Sequence, residues 1–421
     1  MRSVTGRELA EATRQIRRAD SIRRVSSLIA WLDASSEEQR RMREIVHFFT
    51  DRESRDELGL GQIRDAISDG LFPGTSTLLT RARYLLFVPW CFQLAAGKVD
   101  PATAADKFER RLIDELRDSD DFAGLLGLQR GTALKTLPSV VYWTTIRAYG
   151  VTRDGVASRD EALEWRSDQA VGDDDTATTT SPWSSTLPAM PEGFPTNLTR
   201  GFRLTRDEAG WLRDRILERA PGTLMSHLAE QRPDSASSAP WFDEAALRVT
   251  GEPTALLHQA RAFSTTMHGA ALLYNLLLAE EYEAAGFTSV TGAVDDYRAA
   301  LLSWEEQAAA ARIADWRVDE LWNWMAGAAH VHVVPRTRRF VDEWAQLVRS
   351  QGLRGTADDA DARTFIRERE RAHKGSGQAR LGNRERLALW QGSSGAGALV
   401  FRWPQVRRIL IDIHDGLESD A

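Results

Sequence analysis

Residues 56–90 read DELGLGQIRDAISDGLFPGTSTLLTRARYLLFVPW and form the most distinctive stretch of this 421-residue chain. The segment predicts a short helix, Gln62–Asp69, whose apolar positions share one face. A turn with proline at its second position follows at Pro73. An apolar helix or strand then runs to Trp90. The stretch therefore predicts a fixed turn between two buried elements.

Three arginines lie in this segment. Arg81 and Arg83 stand at the start of the apolar run, and Arg64 lies in the short helix. An arginine beside a buried run usually forms a structural ion pair, and we expect Asp65 or Asp69 to be the partner. The alternative is that these arginines bind a ligand. We favour the structural pairs, so the segment is expected to define the fold rather than to perform chemistry.

Helical signals dominate the rest of the chain. Capping boxes at Ser35–Glu38 and Thr205–Glu208 each open an amphipathic pattern. From Pro253 to Tyr282 apolar residues recur every three or four positions, and further helical patterns follow. The second half of the chain therefore predicts an antiparallel helical bundle. By contrast, Ala398–Trp403 is the best strand candidate.

Composition divides the chain into four parts. Residues 166–200 are rich in Asp, Thr, Ser and Pro and lack periodicity, which is typical of a linker. We therefore predict an N-terminal helical domain at 1–165, a helical bundle at 201–352 and a basic C-terminal extension at 353–421. The predicted fold class is mainly α, with a small α/β element in the C-terminal extension.

Bulk composition excludes several classes of protein. The net charge of −7 argues against a general basic coat for nucleic acid, although it allows a local basic patch. The single cysteine, Cys91, rules out an intrachain disulfide framework and a cysteine-based zinc cluster. No stretch approaches 18 apolar residues, and the N-terminus lacks the apolar core of a signal peptide. We therefore expect a cytoplasmic protein with no membrane partner.

The sequence contains no catalytic or cofactor motif that we recognise. The eight histidines include no H-E-x-x-H, and His330 and His332 are expected to be structural. His258 and His268 are too widely offset on one helix to share a metal, so we predict no metal and no cofactor. Gly392–Gly397 is glycine-rich, but it lacks the P-loop lysine and precedes the predicted strand. The sequence therefore does not favour an enzyme.

The clearest electrostatic signal lies between Arg363 and Arg408. This stretch has 11 basic and 3 acidic residues, 11 − 3 = +8, in a chain of net charge −7. Arginines interleaved with aromatic residues suit phosphate contact and base stacking, so we predict a nucleic-acid surface here. The predicted phosphate contacts are Arg380, Arg384, Arg402, Arg407 and Arg408, and the predicted stacking residues are Trp390 and Trp403. The alternative is a charged helix face with ordinary core aromatics.

Several short motifs combine polar and aromatic residues. They are Trp31-Leu32-Asp33, Arg55–Gly59, Leu71–Ser76, Arg81–Tyr84, Phe87–Trp90, Gly201–Thr205, Phe401–Trp403 and Ile409–Asp412. Together they resemble an uncharacterised bacterial family, a domain of unknown function of about this length. The resemblance spans nearly the whole chain and transfers no catalytic residue. It implies a place in antiphage defence islands, beside helicases and phospholipase D-like nucleases.

Three functional hypotheses follow. The leading one is an accessory, non-enzymatic subunit of a bacterial DNA-targeting defence system, which contacts nucleic acid through the C-terminal arginine-rich region and partners such as a helicase or nuclease. The second is an enzyme of unrecognised type with a site around Arg81 and Arg83. The third is a helical scaffold that binds only protein. Salt-dependent binding to DNA separates the first from the others.

Overall fold

The computed structural model describes residues 56–117, 122–127, 136–165, 181–196, 198–328, 331–350 and 354–419. Within these ranges the chain is mainly α-helical, which confirms the predicted class. The described residues contain no strand, and their only β contact is a bridge between Thr152 and Trp183. The predicted helix after Ser35–Glu38, residues 166–180 of the predicted linker, and His330 lie outside the described residues.

Fifteen α-helices are present in the described ranges. The first eight are α1 (Gly61–Leu71), α2 (Tyr84–Ala95), α3 (Pro101–Arg117), α4 (Pro138–Ala148), α5 (Arg159–Glu164), α6 (Arg206–Arg219), α7 (Leu224–Glu230) and α8 (Glu244–Leu247). The others are α9 (Glu252–Ala284), α10 (Ala293–Ala310), α11 (Val318–Gly327), α12 (Pro335–Ser350), α13 (Ala360–Lys374), α14 (Arg384–Leu387) and α15 (Trp403–Glu418).

The 33-residue helix α9 contacts more of the other described elements than any other helix does. All residues from Leu272 to Ala279 are buried, which is the pattern of a helix enclosed on every side. Helices α1, α10, α11, α12 and α13 pack against it. The helix predicted from Pro253 to Tyr282 is therefore confirmed, and it provides a rigid axis for the second half of the chain.

The apolar run of the opening segment is helix α2. A turn at Phe72–Thr75, with a hydrogen bond from the Thr75 N–H to the Phe72 carbonyl, separates it from α1 as predicted. Every residue from Tyr84 to Phe92 is buried. Because α2 is apolar on all sides, α3, α4 and α5 cover it.

The C-terminal helix α15 returns to the beginning of the described chain. It packs against α6 and α7. Its Asp412 also accepts a hydrogen bond from the backbone N–H of Ala82, 330 residues earlier. One hydrophobic core extends from Leu58 to Ile413 along the chain. The predicted division into domains on either side of 166–200 stays a prediction.

The predicted strand at Ala398–Trp403 is wrong. Residues 398–400 have no regular structure, and α15 begins at Trp403. Phe401 and Arg402 between them adopt left-handed backbone conformations, with φ of 50° and 64°. Phe401 and Trp403 are buried because they enter the core from a turn and a helix start, whereas Ala398 is exposed and Leu399 and Val400 are partly buried. The described part of the C-terminal extension is therefore helical, without an α/β element.

Candidate functional site

A cleft of about 610 Å³ lies where three parts of the chain meet. Residues 56–80, helix α9 and residues 393–405 supply most of its walls, and we call it the central cleft. Its apolar lining includes Leu58, Leu60, Leu78, Leu126, Met267 and Phe401. Its polar lining includes Ser68, Thr77, Thr80, His268, Tyr274 and Gln405.

The glycine-rich segment Gly392–Gly397, here the glycine loop, is fixed by side chains from α9 and α10. The fully buried amide of Asn275 accepts from the Ser394 N–H at 2.8 Å and donates to the Ser394 carbonyl at 2.9 Å. The Tyr297 hydroxyl donates to the Gly392 carbonyl at 2.8 Å. His268 is hydrogen-bonded to the backbone of Ala396. The loop therefore forms a fixed wall of the central cleft.

A network of buried ions lies beside the cleft. Glu370 accepts hydrogen bonds from the Tyr274 hydroxyl at 2.6 Å, from Lys374 at 2.8 Å and from two backbone N–H groups at 2.9 Å. Glu57 forms ion pairs with Lys374 and, at 2.9 Å, with Arg380. Burial opposes ionisation of Glu370, but these hydrogen bonds prevail and lower its pKa. Two carboxylates thus balance two cations and join the opening segment to α9 and α13.

Asp56 fixes the first turn of α1. Its carboxylate accepts from the backbone N–H groups of Leu60 at 2.5 Å and Gly61 at 2.8 Å, so its charge meets the positive end of the helix. Gly59 between them has φ of 69°. A Cβ at this glycine would lie 2.5 Å from the His373 ring. The motif at residues 55–59 therefore requires glycine at this position.

His268 is the imidazole that lines the cleft in the described part of the chain. Burial lowers the pKa of this half-buried ring, although the hydrogen bond to Ala396 acts in the opposite direction. The ring is therefore neutral near pH 7 and carries one donor and one acceptor nitrogen. Such a side chain can orient a polar ligand in the cleft.

The arginines of the opening segment form structural ion pairs, as we favoured, but with partners other than those predicted. Arg81 pairs with Asp412 at 2.9 Å and Arg83 with Glu208 at 2.8 Å, and all four side chains are buried. Both partners are more than 120 residues away in sequence. Only the partly exposed Arg64 pairs with a neighbour, Asp65, at 3.0 Å.

The two predicted stacking residues lie inside the core. Trp403 is completely buried, and its indole N–H donates to the Ser237 carbonyl at 3.1 Å. Trp390 is 3% exposed and packs edge-to-face on Tyr282. Because a base stacks only on an accessible ring face, neither ring offers a stacking platform in this structure.

The five predicted phosphate contacts fall into two groups. Arg380 pairs with Glu57, Arg402 pairs with Asp69 at 2.6 Å, and Arg407 donates to the Ser237 carbonyl. Arg384 and Arg408 are exposed: Arg384 covers the ring of Phe287, and Arg408 lies 3.7 Å from Asp412. Of the five, Arg402 lies at the wall of the central cleft. Contact with nucleic acid stays a prediction.

Carboxylates from elsewhere in the chain neutralise much of the +8 stretch. Two pairs involve helix α9: Arg363 pairs with Glu280, and Arg367 pairs with Glu281 at 2.5 Å. In addition, Arg380 forms an ion pair with Glu57, and Arg402 forms one with Asp69. Counting charge along the sequence could not reveal these pairs, because all four acids lie more than 80 residues from their arginines.

Sequence reasoning missed the residues that build the cleft. The sequence suggests His268 only as a possible metal ligand, and it argues against a phosphate-binding role for the glycine loop because the loop lacks the P-loop lysine and precedes a predicted strand. The structure places helix α15 after this loop instead. Two sequence signals could have indicated this cleft: the polar Asn275 within the apolar pattern of α9, and the glycine run itself.

In the described ranges no group of three or more His, Cys, Asp or Glu residues could hold a metal ion. No described helix has both the length and the apolar character to cross a bilayer. A family model described as a family of unknown function (DUF6361) matches residues 26–416. No curated protein and no solved structure matches the chain.

Proposed function

We propose that this chain, which belongs to the DUF6361 family of unknown function, binds a small organic ligand in the central cleft. The observation that carries the proposal is the convergence of three separately anchored chain segments on one cavity of about 610 Å³. This volume lies within the range of about 300–1,000 Å³ that is usual for ligand sites.

The lining of the cleft suits a ligand with an apolar body and a few polar groups. Leucine and methionine side chains supply apolar surface, while His268, Thr80 and Gln405 can donate or accept hydrogen bonds. Arg402 lies at the wall of the cleft. One of its guanidinium nitrogens, Nη1, donates hydrogen bonds both to the Asp69 carboxylate and to the Thr75 carbonyl. A few polar groups among apolar walls give orientation and specificity, and apolar contact gives affinity.

Preorganised walls favour binding because little conformational entropy is lost when the ligand enters. Asn275 holds the glycine loop through both backbone groups of Ser394. The ion network of Glu57 and Glu370 holds the wall that is formed by the opening segment. The opening segment, which carries the most specific motifs of the sequence, thereby becomes part of a binding site.

The test is a thermal-shift screen with nucleosides, mononucleotides, amino acids and dicarboxylic acids, joined to native mass spectrometry of the purified protein. A ligand at about 100 times its dissociation constant would stabilise the fold by about 2.7 kcal/mol. Ala271→Phe on α9 would fill the cleft that Ala271 lines. Ala255→Phe places the same side chain at an exposed position of the same helix and is the matched control.

A compound that stabilises the parent protein and the Ala255→Phe variant, but not Ala271→Phe, would support the cleft as the site. The proposal fails if mass spectrometry and the screen both find no ligand. It also fails if every compound found stabilises the Ala271→Phe variant as strongly as the parent protein.

Nucleic-acid contact through the C-terminal arginine-rich region, within a DNA-targeting defence system, is the second candidate function. The observation in its favour is that Arg384 and Arg386 are exposed on α14 and form no ion pair with a described carboxylate. Arg384→Glu/Arg386→Glu should weaken binding of a labelled DNA duplex at low salt. Unchanged binding, or no binding by the parent protein, would remove this candidate.

A further inference from the structure

Arg369 differs from the other two buried arginines of the described chain. Arg81 and Arg83 each contact a buried carboxylate. Arg369 is equally buried, at 5% exposure, yet its guanidinium donates to three backbone carbonyls and to the Thr337 hydroxyl. Among the described residues no carboxylate forms an ion pair with it, so its charge lacks a direct counter-ion.

A histidine and the backbone of a further arginine lie next to this guanidinium. The His373 ring and the Arg369 guanidinium lie 2.5 and 2.6 Å from the position of a Cβ on Gly59, so they are close neighbours. The backbone carbonyl of Arg336 accepts from Arg369 at 3.3 Å. We call Arg336, Arg369 and His373 the Arg369 cluster.

Burial and neighbouring charges both act on the pKa values of Arg369 and His373. Burial is the main cause that lowers the pKa of Arg369, to about 10, and that lowers the pKa of His373. The positive charge of Arg336 lowers both pKa values further. The acid that attracts them is Asp56, whose carboxylate is already bonded to the first turn of α1. The cluster therefore keeps an excess of positive charge.

The adjoining surface is basic as well. Helix α12 has no acidic residue in its first turn, and Arg336, Arg338 and Arg339 are exposed there. Arg338 lies 3.9 Å from Asp342. No described carboxylate forms an ion pair with Arg336 or Arg339. Positive charge that is not neutralised inside the protein attracts anions from solution.

We propose that Arg336 and Arg339 bind phosphate oxyanions. The buried charge of Arg369 adds to the attraction. Arginine is suited to this ligand because its planar guanidinium donates two parallel hydrogen bonds to a phosphate. None of these residues lines the central cleft, so the proposal is independent of the ligand proposed for that cleft. A nucleic-acid backbone and a free phosphate ester both supply this chemistry, and the experiment distinguishes the two sources.

The experiment compares Arg336→Glu/Arg339→Glu with the parent protein and with Arg203→Glu/Arg206→Glu. The control pair has the same spacing and is also exposed. Binding of a fluorescent single-stranded oligonucleotide is measured by anisotropy between about 50 and 200 mM salt. In parallel, sodium phosphate is added to the protein while the imidazole resonances of His373 are followed by NMR. Addition of sodium chloride to the same ionic strength is the reference.

We expect the Arg336→Glu/Arg339→Glu variant to bind the oligonucleotide at least about tenfold more weakly, with a salt slope smaller by about two. The control variant should bind almost as the parent protein does. If phosphate shifts the His373 resonances only in the parent and control proteins, and no oligonucleotide binds, the source is a free phosphate ester. The proposal is overturned if neither probe binds, or if both variants lose binding equally.

Discussion

Arg81 and Asp412 form a buried ion pair between residues that are 331 positions apart. The Arg81 Nε lies 3.1 and 2.9 Å from the two carboxylate oxygens, and both side chains are about 5% exposed. Asp412 also accepts from the backbone N–H of Ala82 at 2.9 Å. The pair therefore joins the start of α2 to the C-terminal helix α15.

Arg81→Met should destabilise the fold by about 3–5 kcal/mol, because it leaves the buried Asp412 carboxylate with only the exposed Arg408, 3.7 Å away, as a cation. Adding Asp412→Asn should recover part of this loss, since the amide removes the uncompensated charge and keeps an acceptor for Ala82. Free energies of unfolding from urea titration test this. The control, Arg317→Met, breaks exposed pairs with Asp319 and Glu320 and should change the stability far less, because solvent screens these charges.

This pair also shows what the sequence could and could not predict. The sequence indicates that arginines beside a buried run need carboxylates, because an unpaired buried charge is too costly to keep. It cannot indicate which carboxylate, since Asp412 lies 331 residues from Arg81 in sequence and meets it only through the tertiary fold. The expectation of Asp65 or Asp69 relied on proximity in sequence, and tertiary contact decided otherwise.

Gly59→Ala should cost more stability than Gly286→Ala, although both glycines have similar positive φ values of 69° and 73°. The left-handed backbone alone disfavours alanine by about 1–2 kcal/mol at either site. At Gly59 the new Cβ would also lie 2.5 Å from the His373 ring, whereas no atom lies within 4 Å at Gly286. The measurement is the difference between the two urea unfolding free energies. Equal losses would show that the close approach at Gly59 is relieved without cost.

Asn275→Leu should release the glycine loop. The substitution leaves the buried N–H and carbonyl of Ser394 without their partners, and each unsatisfied group costs about 1–3 kcal/mol. We expect faster hydrogen exchange at Ser394 and weaker binding of any cleft ligand. Gln307→Leu, which removes an exposed hydrogen bond to Ser303, is the control and should change neither property. Unchanged exchange at Ser394 would contradict the anchoring role of Asn275.

The helical class was predictable because apolar periodicity is a local property, and the long pattern of α9 carries it over many turns. Apolar periodicity could not exclude the strand predicted at Ala398–Trp403. A short apolar run fits a strand as well as it fits a buried turn that is followed by the start of a helix. The central cleft needed tertiary structure. Its polar side chains come from segments more than 100 residues apart, and no motif spacing connects Asn275 with Ser394.

Glu109 should make stability fall as the pH rises. It is 1% exposed, and its Oε2 accepts from the Ser139 N–H at 2.7 Å in the first turn of α4. Its Oε1 has no hydrogen-bond partner in the described structure. Burial raises the pKa of Glu109 from 4.5 to about 7, and the hydrogen bond from Ser139 only partly offsets this.

The folded state therefore keeps a proton on Glu109 that the unfolded state releases between pH 4.5 and about 7. Stability from this group is fully present below pH 4.5 and is lost as the pH rises through about 7, by about 3 kcal/mol in total. Glu109→Gln cannot ionise, so we expect it to remove this dependence and to exceed the parent protein in stability at pH 8. Urea titrations from pH 5 to pH 8 test this, with the exposed Glu230→Gln as control. If the Glu109→Gln curve runs parallel to that of the parent protein, the buried carboxyl group does not titrate in this range.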